Sequence, residues 1–224
     1  KLNHPSIQKF FEYSSVDFEQ KAKPLIITEY TSRGTLKSIL NRPSSFLKLD
    51  DTKKLIILYG IAKGMSFLHS NGIIHCCLNP NSVLINDKYQ PKISNFMMSR
   101  HININSNNED KELEHPEEYI EWETGMYQRP SCIAPEMIHN NFSETNHTNK
   151  IDVYSYPMLI YEMITGQEPF YDNKDIYEIY FRVTRAERPA LNINTDSRNN
   201  IKEEELKDEK IKETEEQEEG KEQY

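Results

Sequence analysis

No apolar run in the 224 residues approaches the roughly 20 needed for a membrane-spanning helix. The opening Lys1-Leu2-Asn3-His4-Pro5 does not have the form of a secretory signal. Membrane association is therefore not expected. There are only three cysteines, Cys76, Cys77 and Cys132, too few and too unevenly spaced for the disulfide framework of a secreted scaffold. Positive charge is also in short supply. With 27 Lys and Arg against 36 Asp and Glu the net charge is −9, which repels a phosphate backbone and argues against nucleic acid as a partner. A reducing, cytoplasmic setting follows as the expectation. No internal repeat is present.

At 36% hydrophobic and 28% charged, most of the chain has the composition of a globular protein. Polarity is concentrated in two places. Ile201 to Tyr224 holds eleven acids against five lysines, a net of −6, with Ile201, Leu206 and Ile211 as its only aliphatics. That is too little apolar surface to dock a helix, so 193–224 is read as an acidic tail, disordered or a single solvated helix. His101 to Glu123, Asn-rich and then acidic, reads as a long mobile loop.

Two segments are strongly patterned. Between Asp51 and Ser70, Leu55, Leu58, Tyr59, Ala62, Met65 and His69 share one helical face, which Ile57, Ile61 and Leu68 widen. Asp50 or Asp51 can cap its start, and Gly72 can end it. Lys150 to Thr165 is apolar nearly all round, the pattern of a helix at the centre of a domain. Strands are expected at Leu25–Tyr30, Ser82–Ile85 and Lys92–Ser94, the last two joined by a turn at Asn86-Asp87-Lys88.

Within this layout, Ile73-Ile74-His75-Cys76-Cys77-Leu78-Asn79-Pro80-Asn81-Ser82-Val83-Leu84 resembles the catalytic loop of eukaryotic protein kinases, H-R-D-L-K-P-x-N-I-L. Further motifs follow in the family's order. Ile93-Ser94-Asn95-Phe96-Met97 is similar to the metal-binding D-F-G segment. Ala134-Pro135-Glu136 is the A-P-E triplet unchanged, and Asp152 to Pro157 is similar to D-V-W-S-F-G of the central helix. Leu25 to Leu36 resembles the hinge that holds adenine, and the wording is closest to the tyrosine-kinase-like group. The resemblance implies an α+β protein kinase-like fold, mainly the helical large lobe. It assigns 1–192 to a partial kinase-like domain, with 1–30 a remnant of the small lobe and hinge and 31–192 the large lobe. The Gly-rich loop, the small-lobe lysine and its glutamate partner are expected outside this chain. So are the helices that close the large lobe, with the arginine that would pair with Glu136.

By the same resemblance, Thr28, Glu29 and Thr31 are the hinge residues facing adenine and Leu84 its apolar floor. Phe10, His75, Phe96 and Asp152 are stacked or anchoring core residues, and Glu136 is structural. The catalytic positions are changed. Cys77 stands at the catalytic aspartate, Asn95 at the first metal-binding aspartate, Ser82 at the second metal ligand and Asn79 at the lysine on the γ-phosphate. Cys76 stands at the arginine that would hold an activating phosphate. Kinase catalysis consists mostly of positioning and charge neutralisation, so these replacements remove its working groups. Packing changes as well: Pro157 and Met97 stand at glycine positions, and Arg129 where threonine is usual before Pro130.

The expectation is a pseudokinase-like domain that transfers no phosphate and acts as a scaffold or interaction module with a protein partner. No resident cofactor or metal is expected, including zinc on the adjacent cysteines. The alternative is a fragment of a serine/threonine protein kinase that binds ATP with Mg²⁺ and phosphorylates proteins. A third possibility is a degraded gene product that folds poorly.

Overall fold

In the computed structural model the described residues are 2–41, 49–102, 129–139, 148–173 and 175–191. The acidic tail, most of the expected mobile loop and the middle of the segment between Asn95 and Glu136 lie outside them. Contacts divide the chain into Lys1–Pro189 and Ala190–Tyr224, and every described helix and strand belongs to the first unit.

Three two-stranded antiparallel sheets and five helices make up the described fold, an α+β arrangement. Strand β1 (Phe10–Ser14) pairs with β2 (Leu25–Thr28), with a bulge between Phe10 and Glu12. Helix α1 (Leu36–Leu40) starts on Thr35, whose side chain accepts the Ser38 N–H. Helix α2 (Asp51–Ser70) starts on Asp50, which accepts the Lys53 N–H, and ends where Gly72 takes φ +70°. Strand β3 (Ile73–Ile74) leads into the loop that begins at His75. Strands β4 (Val83–Ile85) and β5 (Pro91–Ile93) form a hairpin whose turn closes between Asn86 and Gln90, with Tyr89 at φ +59°. A 3-10 turn, Phe96–Met98, leads into β6 (Arg100–His101), which pairs with β3. A second turn, Pro130–Cys132, precedes α3 (Pro135–His139), α4 (Lys150–Thr165) and α5 (Ile176–Thr184).

The main core lies between α2, the β4–β5 hairpin and α4. It is built from Ile57, Ile61, Leu68, Val83, Ile93 and Leu159, all 0% exposed. Close approach of α2 to β5 requires glycine: a Cβ at Gly60 would lie 2.5 Å from the Pro91 ring, and one at Gly64 would lie 2.6 Å from the Ile93 Cδ1.

The structure corrects several expectations. The buried stripe of α2 is Ile57, Ile61, Gly64, Met65 and Leu68, whereas Leu55 and Tyr59 are 67% and 63% exposed and Ala62 faces solvent. The residues expected to widen the face are its centre, because a helix apolar on most sides leaves the choice of face to tertiary packing. Helix α4 is central but not covered all round, since Val153, Pro157 and Ile164 are exposed. Pro157 sits on this open side and does not break the helix. Phe10, expected in the stacked core, is 44% exposed, because β1 and β2 form a sheet of two strands open on both faces. Met97, at a position where the family has glycine, does not need a left-handed backbone: the left-handed residue is Asn95, at φ +59°, and asparagine tolerates that region.

Candidate functional site

The loop from His75 to Ser82 hangs from the first turn of α4. Asp152, 2% exposed, accepts the backbone N–H groups of His75 and Cys76 at 2.9 Å each and the His69 Nε2–H at 2.8 Å. Ion-assisted bonds of this kind are the stronger class, and here they hold Cys76 at φ +61°, a conformation costly for a residue with a side chain.

His75 is fully buried. Its Nε2 donates to the Ser94 carbonyl at 2.9 Å and its Nδ1 accepts the Cys77 N–H at 3.3 Å, which fixes the neutral tautomer with the proton on Nε2. Burial pulls its pKa below the usual histidine value, against the opposing pull of Asp152. The rings of His75 and Phe96 lie 5.2 Å apart in a tilted arrangement, linking the loop to the Phe96–Met98 turn.

The polar side chains of the loop bond to the loop itself. Ser82, 0% exposed, accepts the Asn79 N–H on its Oγ at 3.0 Å and donates the same hydroxyl to the Asn79 carbonyl at 2.9 Å. Asn79 donates its amide to the Cys77 carbonyl at 3.0 Å and to the Cys77 Sγ at 3.6 Å, and its Oδ1 accepts the Asn81 N–H at 2.8 Å. The Ser94 hydroxyl and N–H both donate to the Ser82 carbonyl, tying the loop to the end of β5. Asn95 is exposed and makes no capping bond through its side chain. Thus Cys77, Asn79 and Ser82 are brought together, while Asn95 lies in the neighbouring turn.

All three thiols are free. Burial pushes Cys76 and Cys132 up to about 12 and raises Cys77 as well, so each stays a neutral thiol near pH 7. Among the described residues, no group of three or more His, Cys, Asp or Glu is placed to hold a metal ion.

The hinge residues occupy the end of β2 and the chain after it. Gln8 Nε2 donates to the Thr28 hydroxyl at 3.1 Å and to the Glu29 carbonyl at 3.0 Å. The Glu29 carboxylate pairs with Lys92 at 2.9 Å. Thr31 is 9% exposed. Leu84, half-buried in β4, bridges to Thr35, and Ile85 exchanges backbone bonds with Arg33 and Gly34, so the chain after the hinge runs beside β4. Glu136 forms no salt bridge among the described residues.

Sequence reasoning missed two groups. One is His69, counted as part of a helix face although it is a hydrogen-bond partner of Asp152. The other is the ion-pair cluster of Lys37, Arg129, Glu162 and Glu168. A charged residue within the most apolar helix is the signal that could have found it, because a buried carboxylate requires a partner.

The family model for protein tyrosine and serine/threonine kinases matches residues 1–203. Among curated proteins, the chain is similar to the serine/threonine/tyrosine-protein kinase HT1 of Arabidopsis thaliana, 31% identical over 85% of this chain and 43% of that protein. It is also similar to the serine/threonine-protein kinase TNNI3K of Mus musculus, 34% identical over 76% of this chain and 18% of that protein. The serine/threonine-protein kinase CTR1 of Arabidopsis thaliana is 29% identical over 76% of this chain and 18% of its own length. The chain spans less than half the length of these relatives.

Proposed function

The chain belongs to the protein tyrosine and serine/threonine kinase family, and from that premise we propose that it is a domain without phosphotransferase chemistry, acting through a protein partner. The observation that carries this reading is the closure of the Ser82 hydroxyl and the Asn79 amide on their own loop. A magnesium-bound triphosphate needs hard oxygen ligands, usually carboxylates, and a residue to orient the acceptor hydroxyl. Cys77 offers a neutral thiol, Asn95 an uncharged amide, and Asp152 has its carboxylate engaged by His69, His75 and Cys76. These groups do not fit the metal-bound nucleotide. Loss of one such electrostatic contact costs on the order of 3 kcal/mol, about 10²-fold in rate, and here several are replaced together.

The packing around the loop is kept while its charged groups are gone, which supports a scaffold role. Open apolar side chains on α2 and on the β1–β2 sheet, including Leu55, Tyr59 and Ile26, are compatible with a protein partner. No described helix is long and apolar enough to cross a membrane.

The test is a thermal melt of the full natural protein alone, with ATP, and with ATP plus Mg²⁺, together with a radiolabelled transfer assay. A ligand of the native state raises the transition by mass action. The expected result is one cooperative transition, no Mg²⁺-dependent shift and no transfer. Transfer that disappears in Cys77→Ala would overturn the reading and restore that of an active kinase, the activity named for the relatives.

A further inference from the structure

Arg129 stands immediately before the Pro130–Cys132 turn, and its own carbonyl accepts the Cys132 N–H at 3.0 Å, so the turn moves with it. The side chain is 5% exposed. Its Nη1 donates to Glu162 Oε2 at 2.7 Å and its Nη2 to Oε1 at 3.3 Å, a two-pronged bond to a carboxylate that is itself 2% exposed. Lys37 of α1 donates to the same Glu162 Oε1 at 2.7 Å, and Glu168 takes up the second cationic charge by pairing with Lys37 and lying 3.5 Å from Arg129. Two cations thus meet two carboxylates, and the cluster joins the turn to α1 and α4. On its other side Arg129 lines a small pocket with Cys77, Asn79 and Cys132.

We propose that Arg129 and Glu162 form a permanent clasp that holds the Pro130–Cys132 turn against the Cys77–Asn79 loop and restricts access to the pocket between Cys77 and Cys132. Both partners come from this chain, so the clasp needs no added phosphate. Planar two-pronged geometry favours arginine over lysine here, and the low exposure of both partners protects the pair from screening by salt. The inference goes beyond the proposed function and does not depend on it, because its readout involves neither nucleotide nor transfer.

The experiment is alkylation of the native protein with iodoacetamide, followed residue by residue by mass spectrometry, with hydrogen exchange of the α2 amides measured in parallel. In the unmodified protein Cys132 should react at least 100-fold more slowly than a free thiol. Arg129→Ala and Glu162→Gln should speed Cys132 at least tenfold and Cys77 to a smaller degree, with α2 exchange unchanged. Arg129→Lys, which keeps the charge but loses the fork, should fold and give an intermediate rate. Fast alkylation of Cys132 in the unmodified protein would overturn the clasp. An unchanged rate in Arg129→Lys would do the same, as would a rise matched by α2 exchange, since that would make the cluster a contributor to global stability only.

Discussion

The carboxylate of Asp152 accepts the backbone N–H of Cys76 at 2.9 Å, and this bond holds a residue with φ +61° at the start of the loop. The same carboxylate serves His75 and His69, so one buried group on α4 sets the path of the chain between β3 and Leu78. Asp152→Asn keeps the shape but places an amide N–H where an acceptor is needed. With a buried donor left facing a donor and the charge-assisted bonds weakened, the cost should be about 3 kcal/mol. For a unit of this size that corresponds to a fall in Tm of about 6–12 °C. Chemical denaturation should show a lower midpoint with an unchanged slope. A loss below about 1 kcal/mol would show that the loop is held by other contacts.

Acid should weaken the fold through its histidines. His75 is buried neutral, with its pKa pulled below the ordinary 6.5 by burial, and His4 shifts the same way. Above pH 6.5 both states carry a neutral imidazole, and the shift contributes nothing to the pH dependence. Below 6.5 the unfolded chain takes up a proton that the folded one refuses, so stability falls as pH drops towards the folded pKa. A single group of this kind limits the slope to about 1.4 kcal/mol per pH unit. Denaturant midpoints measured from pH 7.5 to 5.5 should therefore decline below pH 6.5, and His75→Gln should flatten the decline while lowering stability throughout. An equally steep decline in that variant would assign the effect elsewhere.

Much of this arrangement is legible in the sequence because its signals are local. Asp50 and Gly72 mark helix ends by their own hydrogen-bonding or backbone preferences, and the β4–β5 hairpin shows in two short β-branched runs. The order of the motifs also places Asp152 and His75 in one family of folds. What escaped depends on contacts distant in sequence. Glu162 meets Arg129 across 33 positions and Lys37 across 125, and no periodicity links those residues. The buried face of α2 is illegible for a related reason: Leu55 and Ile57 have similar hydrophobicity, and the packing of the helix against the β4–β5 hairpin and α4, with Pro91 and Ile93 meeting Gly60 and Gly64, decides which one is buried.

Pro157 is the place where the fold carries a removable cost. Helix α4 runs unbroken from Lys150 to Thr165, yet proline has no N–H to give to the Val153 carbonyl one turn earlier. Val153 and Pro157 both lie on the exposed side, where water can take over that bond, which explains why the helix survives. Pro157→Ala restores the intrahelical bond and replaces the least favourable helix residue by the most favourable, a difference of about 3 kcal/mol in helix interiors. Alanine also frees the unfolded chain, which returns about 0.4–1 kcal/mol, and the exposed site softens the original penalty. A net gain of about 1–2 kcal/mol is expected, read as a rise in Tm of about 2–8 °C. Pro157→Gly should gain about 1 kcal/mol less than the alanine variant, because glycine gives up more backbone freedom in a helix. If both variants melt below the unmodified protein, the proline ring is itself part of the packing, and its contacts outweigh the hydrogen bond that α4 forgoes at Val153.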